Sequence, residues 1–199
     1  MADMEKTGKN LEGRGFRVHR FASGAEAAEF LVQTLHGTSI GIGGSVTIDT
    51  LGVYDRLCGS NEVFWHWKNH APETRERAGK AETYLCSANG VSENGEIVNI
   101  DGFGNRVAGT IYGPERVFLV VGRNKIAPDL TGAIDRARNI AAPLNARRLN
   151  RHTPCAVGEP RCHDCRSPEK VCGVMTVFFM PPTSIKEFHV ILVDESLGY

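Results

Sequence analysis

The sequence predicts an α/β protein: a mostly parallel β-sheet flanked by helices, with a small hairpin and a cysteine-rich loop. Strand patterns alternate with helical patterns along the chain, which is typical of a parallel sheet covered on both faces. Residues 117–121 form a continuous apolar run, as expected of a strand buried on both faces. Asn94-Gly95 lies between two strand patterns and is a strong signal for a hairpin turn.

The first half of the chain contains both kinds of element. Ser23, followed three residues later by Glu26, forms a capping box that opens a helix, and Gly37 ends that helix. Apolar residues at helical spacing predict a second helix over 47–58, and a polar surface helix is predicted over 72–81. The predicted strands lie at 16–21, 38–42, 62–67, 84–91 and 96–101.

The second half begins with the buried strand at 117–121. Pro128 pre-sets the start of a helix whose apolar stripe runs from Leu130 to Ala141, and Pro143 is expected to break it. Residues 151–173 have neither strand nor helix periodicity, and the last strands are predicted at 174–180 and 189–193. Because no internal repeat or linker is evident, we expect one domain over residues 1–199.

The charge balance excludes some classes of function. The 23 basic residues equal the 23 acidic ones, so no overall field attracts nucleic acid or a membrane surface. The first 14 residues lack the apolar core of a signal peptide, and no apolar run is long enough to span a bilayer. We therefore expect a cytoplasmic protein, and the sequence leaves a homo-oligomer open.

A glycine loop lies between a predicted strand and a predicted helix. Gly41, Gly43 and Gly44 would let the backbone approach a ligand closely, and Ser45 and Thr47 add hydroxyl donors for a phosphate or carboxylate. The following helix would offer unpaired N–H groups to an anion. The loop is thus predicted to bind a small anionic ligand.

Familiar loop signatures do not fit this segment. A dinucleotide fingerprint needs glycine where Val46 stands, a serine-hydrolase elbow needs glycine at Thr47, and the Gly-Lys-Ser/Thr of a phosphate loop is absent. The alternative to a binding loop is a tight turn in which Ser45 or Thr47 caps the helix.

Polar residues follow the buried strand. Gly122, Asn124 and Lys125 come at its carboxyl end, where ligands collect in open α/β sheets. Two cations, Arg123 and Lys125, and the Asn124 amide suit a carboxylate or phosphate there, whereas the alternative is a solvated loop.

A second polar bend lies upstream. It contains Asp101, Asn105 and Arg106, which could form a wall of the site. From composition alone, an Asx turn with a surface ion pair is favoured.

Four cysteines crowd into 18 residues: Cys155, Cys162, Cys165 and Cys172. In a reducing compartment such crowding favours metal over disulfides. Four thiolates can hold zinc or an iron–sulfur cluster. The spacing of these cysteines matches neither a standard zinc finger nor a ferredoxin motif, so the metal stays open. The alternatives are four reduced thiols in an ordered loop, or a redox disulfide between the central pair.

Several motifs in fixed order resemble the LUD (lactate utilisation) family of the LutC/YkgG type over nearly the whole chain. They are GIGGSVT (41–47), ANGV (88–91), EIVNID (96–101), GNRVA (104–108), GP (113–114), VVGRNKI (120–126), NIAAPLNA (139–146), TPC (153–155), the cysteine cluster (162–172) and VDESLGY (193–199).

The resemblance implies a fold similar to the sugar-phosphate isomerase and CoA-transferase superfamily, whose glycine-rich strand ends hold anionic substrates. It also implies a link to L-lactate oxidation systems, in which related proteins work with iron–sulfur partners. It supplies no catalytic residue, and the acidic residue that CoA transferases acylate cannot be placed in this sequence.

The leading hypothesis is a lactate-utilisation accessory or oxidoreductase component. It would bind a small carboxylate or phosphorylated anion and carry a four-cysteine metal or iron–sulfur site. Since no flavin or nicotinamide motif is present, a redox role would need a partner protein. The alternatives are an isomerase or acyl/CoA-transferase-like enzyme, and a non-catalytic sensing or interaction module.

Overall fold

A computed structural model describes residues 3–199 of the chain. The strands are β1 (Arg17–Phe21), β2 (Ser39–Ile42), β3 (Glu62–Trp65), β4 (Thr83–Ser87), β5 (Gly90–Ser92), β6 (Ile97–Asp101), β7 (Arg116–Gly122), β8 (Ile126–Ala127), β9 (Val174–Phe178) and β10 (Glu187–Val193). The α-helices are α1 (Met4–Gly13), α2 (Gly24–Thr34), α3 (Val46–Leu51), α4 (Tyr54–Cys58), α5 (Thr74–Gly79), α6 (Asn105–Ile111), α7 (Leu130–Arg136), α8 (Ala142–Arg148) and α9 (Pro154–Val157).

The main sheet of the described residues has six strands in the order β1-β10-β7-β4-β2-β3. Every neighbouring pair in it is parallel. Side chains of β7 alternate between two apolar clusters, with Leu119 on one face and Phe118 and Val120 on the other. The predicted α/β fold, with a mostly parallel sheet flanked by helices, is confirmed.

A second sheet carries the hairpin. Its strand order is β8-β5-β6-β9, and β5 pairs antiparallel with β6. Gly95 has a φ of 90°, a backbone conformation that the turn requires and that glycine adopts without strain. The hairpin prediction at Asn94-Gly95 is therefore confirmed. β9, which follows the cysteine-rich loop, pairs with β6 and places that loop beside the hairpin.

The capping box at α2 is present. The side chain of Ser23 accepts a hydrogen bond from the backbone N–H of Glu26 at 3.2 Å. The Glu26 carboxylate reaches back to the backbone N–H of Ala22 at 2.9 Å. The first contact satisfies an N–H group that the start of a helix leaves unpaired, and the second holds the residue before the cap, so this local signal determined where α2 begins.

Three predicted elements were wrong in detail. The helix predicted over 47–58 is two helices, because Gly52 adopts a left-handed conformation with a φ of 64° that ends α3. The strand predicted over 84–91 is two strands, β4 and β5, which belong to different sheets. Pro143 does not break its helix: it lies in the first turn of α8, after a π-helical turn over Ala137–Ala141. The π-helical turn directly before Pro143 changes the hydrogen-bond pattern there, with the N–H of Ala142 donating to the Ala137 carbonyl, and the helix continues past the proline.

Within residues 3–199, no helix has both the length and the apolar character needed to cross a bilayer.

Candidate functional site

A cleft of about 680 Å³ opens at one edge of the main sheet. The carboxyl ends of β2, β3, β4 and β7 share this edge because the four strands are parallel. Residues after each of them line the cleft: Gly44 and Ser45 after β2, His66 after β3, Ser87 at the end of β4 and Lys125 after β7. This is the position at which open α/β sheets bind ligands.

Lys125 lies at the floor of the cleft. A 3₁₀ turn over Arg123–Lys125 carries it, and the residue is only 2% exposed. Its Nζ donates to the Thr47 hydroxyl at 2.7 Å and to the Ser87 hydroxyl at 2.8 Å. Burial lowers the pKa of Lys125 well below its usual value, and the guanidinium groups of Arg136 and Arg106 lower it further.

Asp101 and Arg106 form one wall. The Asp101 carboxylate accepts the backbone N–H groups of Arg106 at 3.0 Å and Val107 at 3.2 Å, and thereby caps α6. The Arg106 guanidinium donates to the Asn89 side-chain oxygen at 2.9 Å and to the Ile100 carbonyl. Asp101, at the end of β6, therefore fixes the start of the helix that carries Arg106.

An aromatic wall faces the glycine loop. A Cβ added to Gly44 would lie 3.3 Å from the Trp67 indole nitrogen and 3.6 Å from His66 Nε2, so the bare backbone makes room for these rings. The Nδ1 of His66 is buried without a hydrogen-bond partner. Burial, followed by the nearby Arg75 guanidinium, lowers the pKa of His66 to about 4. This imidazole is neutral at pH 7.

The cleft carries an excess of positive charge although the whole chain is neutral. Six lysine or arginine residues line it against two carboxylates, Asp101 and Glu169. Both carboxylates already accept backbone hydrogen bonds, and for Glu169 the donor is the N–H of His152 at 2.7 Å. The lysine and arginine residues are Arg75, Arg106, Lys125, Arg148, Arg151 and Lys170.

A second cavity, of about 330 Å³, lies against the cleft. All four clustered cysteines line it: Cys155, Cys162, Cys165 and Cys172. Lys170 and Val171 of the same loop line both the cavity and the cleft, so one segment forms a shared wall.

The thiols are close enough to influence one another. Burial raises the pKa of the Cys172 thiol; Lys170 opposes this and the other three thiols add to it. The Arg138 guanidinium donates to the Cys162 sulfur at 3.3 Å. Within residues 3–199, no group of three or more His, Cys, Asp or Glu side chains is placed to hold a single metal ion. The structure therefore brings the four cysteines around one cavity without forming a compact coordination shell.

The profile of the LUD domain family matches residues 4–193. This chain belongs to the LUD domain family. The chain also resembles the crystal structure of a DUF162 family protein from Deinococcus radiodurans, with a TM-score of 0.57 and 14% sequence identity over 96% of this chain and 95% of that one. At that identity the likeness concerns the fold. No match is found among curated proteins. Family membership makes this a lactate-utilisation-type protein.

The structure brings most of the predicted ligand residues of this LUD domain to the cleft. Ser45 caps α3 by accepting from the N–H of Ile48 at 3.2 Å, which is the alternative that the sequence left open. A ligand role for the glycine loop remains a prediction. The predicted residues that line the cleft are Gly44, Ser45, Thr47, Asp101, Asn105, Arg106 and Lys125.

Two glycines of the predicted glycine loop, Gly41 and Gly43, are needed for close packing inside the LUD domain. A Cβ on Gly41 would clash with the backbone of Ala78, so this glycine lets α5 pack closely against β2. A Cβ on Gly43 would lie 3.1 Å from the Tyr84 hydroxyl and 3.1 Å from Arg106 Cγ, beneath the cleft. Both positions are explained by packing.

Gly122 and Asn124 also lie outside the cleft lining, and they hold the C-terminal segment. A Cβ on Gly122 would meet the backbone N of Leu197 at 2.7 Å. The Asn124 side chain donates to the Gly198 carbonyl and accepts from the N–H of Leu197, both at 3.1 Å. Asn124 therefore contacts the C-terminal segment and does not line the cleft.

Sequence reasoning missed part of the cleft. Ser87 and Asn89 were placed inside one long strand, whereas they lie at and beyond the carboxyl end of β4. His66 and Trp67 were likewise placed inside a strand that ends at Trp65. The strand-end rule that found Lys125 would have found all four if the strand ends had been set earlier.

Proposed function

We propose that this LUD-domain protein binds a small carboxylate or phosphorylated anion in the cleft, as a component of lactate utilisation. The observation that supports this is the excess of lysine and arginine around the cleft at the sheet edge in a chain of zero net charge. Clefts lined by one sign of charge concentrate ions of the opposite sign. The positive charge of the cleft comes from the side chains of Arg75, Arg106, Arg148 and Lys170. Lys125 does not contribute, because its buried amine loses its proton readily.

Thermal-shift and calorimetric titration with lactate, inorganic phosphate and coenzyme A tests the proposal. Arg148→Met removes one cleft cation, and loss of a charged hydrogen-bond partner is expected to weaken binding about tenfold or more. Arg56→Met is the matched control, because Arg56 pairs with Glu29 on the surface away from the cleft. If no anion stabilises the wild type, or if both variants bind equally, the cleft is not an anion site.

An acyl or CoA transfer through an enzyme carboxylate gains no support from the cleft. Asp101 and Glu169 are its carboxylates, and each is held by backbone N–H groups. The binding proposal therefore stands ahead of the transferase alternative.

We propose further that the four cysteines hold a metal group. The cavity that they line offers four sulfur donors, the set that suits zinc or an iron–sulfur cluster. If the group is a cluster, it supplies one-electron transfer when bound, and a partner protein would deliver or accept the electrons.

Metal analysis and a visible spectrum of anaerobically purified protein test this. Cys162→Ser combined with Cys165→Ser is expected to remove about one metal site, since two of the four donors are lost. Cys58→Ser is the control, because Cys58 is an exposed cysteine on α4, outside the cavity. Brown colour indicates an iron–sulfur cluster, and colourless zinc-loaded protein indicates a structural site. Equal metal content in both variants would contradict the proposal.

A further inference from the structure

Lys125 differs from the other lysine and arginine residues of the cleft. It is 2% exposed, and no carboxylate of the described residues forms an ion pair with it. Its charged neighbours, Arg106 and Arg136, are both cationic. A buried ammonium in such surroundings is strongly disfavoured, so the amine is held in a form that can act as a nucleophile.

The hydrogen bonds around Nζ lead to the same result. The Thr47 hydroxyl donates its own proton to the Leu197 carbonyl at 3.2 Å, and the Ser87 hydroxyl donates to the Val120 carbonyl at 2.6 Å. Each hydroxyl oxygen is then an acceptor for the N–H groups of Lys125. A neutral amine has two N–H groups and one lone pair. Both N–H groups are satisfied, and the lone pair is left free beside the cleft.

The directions of these hydrogen bonds also argue against Ser87 as the nucleophile. Its proton is directed at a backbone carbonyl, which can only accept, so Lys125 does not receive it. The hydroxyls orient the amine instead.

We propose that Lys125 forms an imine with the carbonyl carbon of a small anion, either a 2-oxo acid or a keto or aldehyde phosphate. This rests on the proposed anion site, whose cations would neutralise the carboxylate or phosphate. The amine nitrogen attacks the carbonyl carbon, and the C=O electron pair moves to oxygen. The oxygen then leaves as water with the two amine hydrogens. No oxidant or reductant takes part.

Trapping with sodium borohydride tests the proposal on the intact chain. Pyruvate and dihydroxyacetone phosphate are the probes, with lactate and inorganic phosphate as anions that lack a reactive carbonyl. With pyruvate, the expected product gains the mass of pyruvic acid less one oxygen atom, only when borohydride is present. Peptide mapping is expected to place the adduct on Lys125.

Two variants sharpen the experiment. Lys125→Met removes the amine and should abolish the adduct, whereas Lys80→Met should retain it, because Lys80 is an exposed lysine paired with Glu76. If Lys125→Met does not fold, the peptide map of the wild type decides.

The outcomes separate this proposal from the anion site. Stabilisation by lactate or phosphate without a trapped adduct overturns the imine and leaves the anion site standing. Labelling spread over surface lysines also overturns it. Failure of every anion to stabilise the chain, with no adduct, overturns both.

Discussion

Gly41→Ala is expected to destabilise the fold, although alanine is the smallest side chain that can be added at this position. An ideal Cβ on Gly41 would lie 2.7 Å from the carbonyl carbon of Ala78 and 2.9 Å from its Cα, and closer still to its oxygen. Real Cβ atoms do not approach other atoms within 3.0 Å. Because the obstacle is the backbone of α5, a side-chain rotation cannot relieve the clash.

The magnitude follows from what must move. β2 is buried between β3 and β4 in the sheet, so α5 has to shift away from it. Overpacking of this kind costs about 1–3 kcal/mol. In a chain of this length, each kcal/mol lowers Tm by about 2–4 °C. We therefore expect a decrease in Tm of about 2–12 °C, with ligand binding reduced only through stability.

Gly13→Ala provides the matched control. It is the same substitution on a helix, and a Cβ there meets nothing within 4 Å. Alanine is the better helix former, so this variant is expected to be neutral or to gain about 0.5–1 kcal/mol. Urea denaturation of both variants measures the difference. A Gly41→Ala protein as stable as the wild type would refute the packing role and return Gly41 to the ligand loop.

Three further predictions concern single side chains. The folded pKa of His66 is about 4 against 6.5 in the unfolded chain, so the unfolded state binds more protons in this range. The free energy of unfolding is therefore expected to fall as pH drops from 6.5 to about 4, by up to about 1 kcal/mol per pH unit. His66→Gln should flatten this part of a series of denaturation curves measured at different pH. An unchanged pH profile in the variant would contradict the role of His66. Asp101→Ala removes the carboxylate that caps α6 and should cost about 0.5–2 kcal/mol in urea denaturation, whereas Asp101→Asn should recover part of the loss. Asn124→Ala breaks two hydrogen bonds to the C-terminal segment and should cost about 1–3 kcal/mol. Limited proteolysis should then release that segment faster, and an unaltered digestion pattern would count against the tether.

Local signals in the sequence were sufficient for most of the fold. The capping box at Ser23, the turn at Asn94-Gly95 and the apolar run at 117–121 each act over a few residues, and each appears in the structure as predicted. The strand-end rule also brought Lys125 and Thr47 to one edge, because it needs only strand direction and not strand order.

The ends of individual strands and helices were harder to predict from the sequence. The break between β4 and β5 lies at Ala88 and Asn89, where the chain passes from one sheet to the other. The π-helical turn before Pro143 keeps the helix continuous, and no residue pattern in the sequence predicts that turn. Both features depend on packing against distant elements, which hydrophobic periodicity does not record.

By itself, the sequence determined the α/β class, the family and the candidates for the site. Only the tertiary structure decided which of those candidates share a cleft. Asn124 and Lys125 are neighbours in the sequence, yet one ties down the C-terminal segment and the other lies under the cleft between two hydroxyls. Gly41 and Gly44 belong to one glycine-rich segment, yet Gly41 packs against α5 from within β2 and Gly44 lies at the cleft. Residue type sets what a side chain can bind, whereas the packing of distant strands and helices sets what it meets.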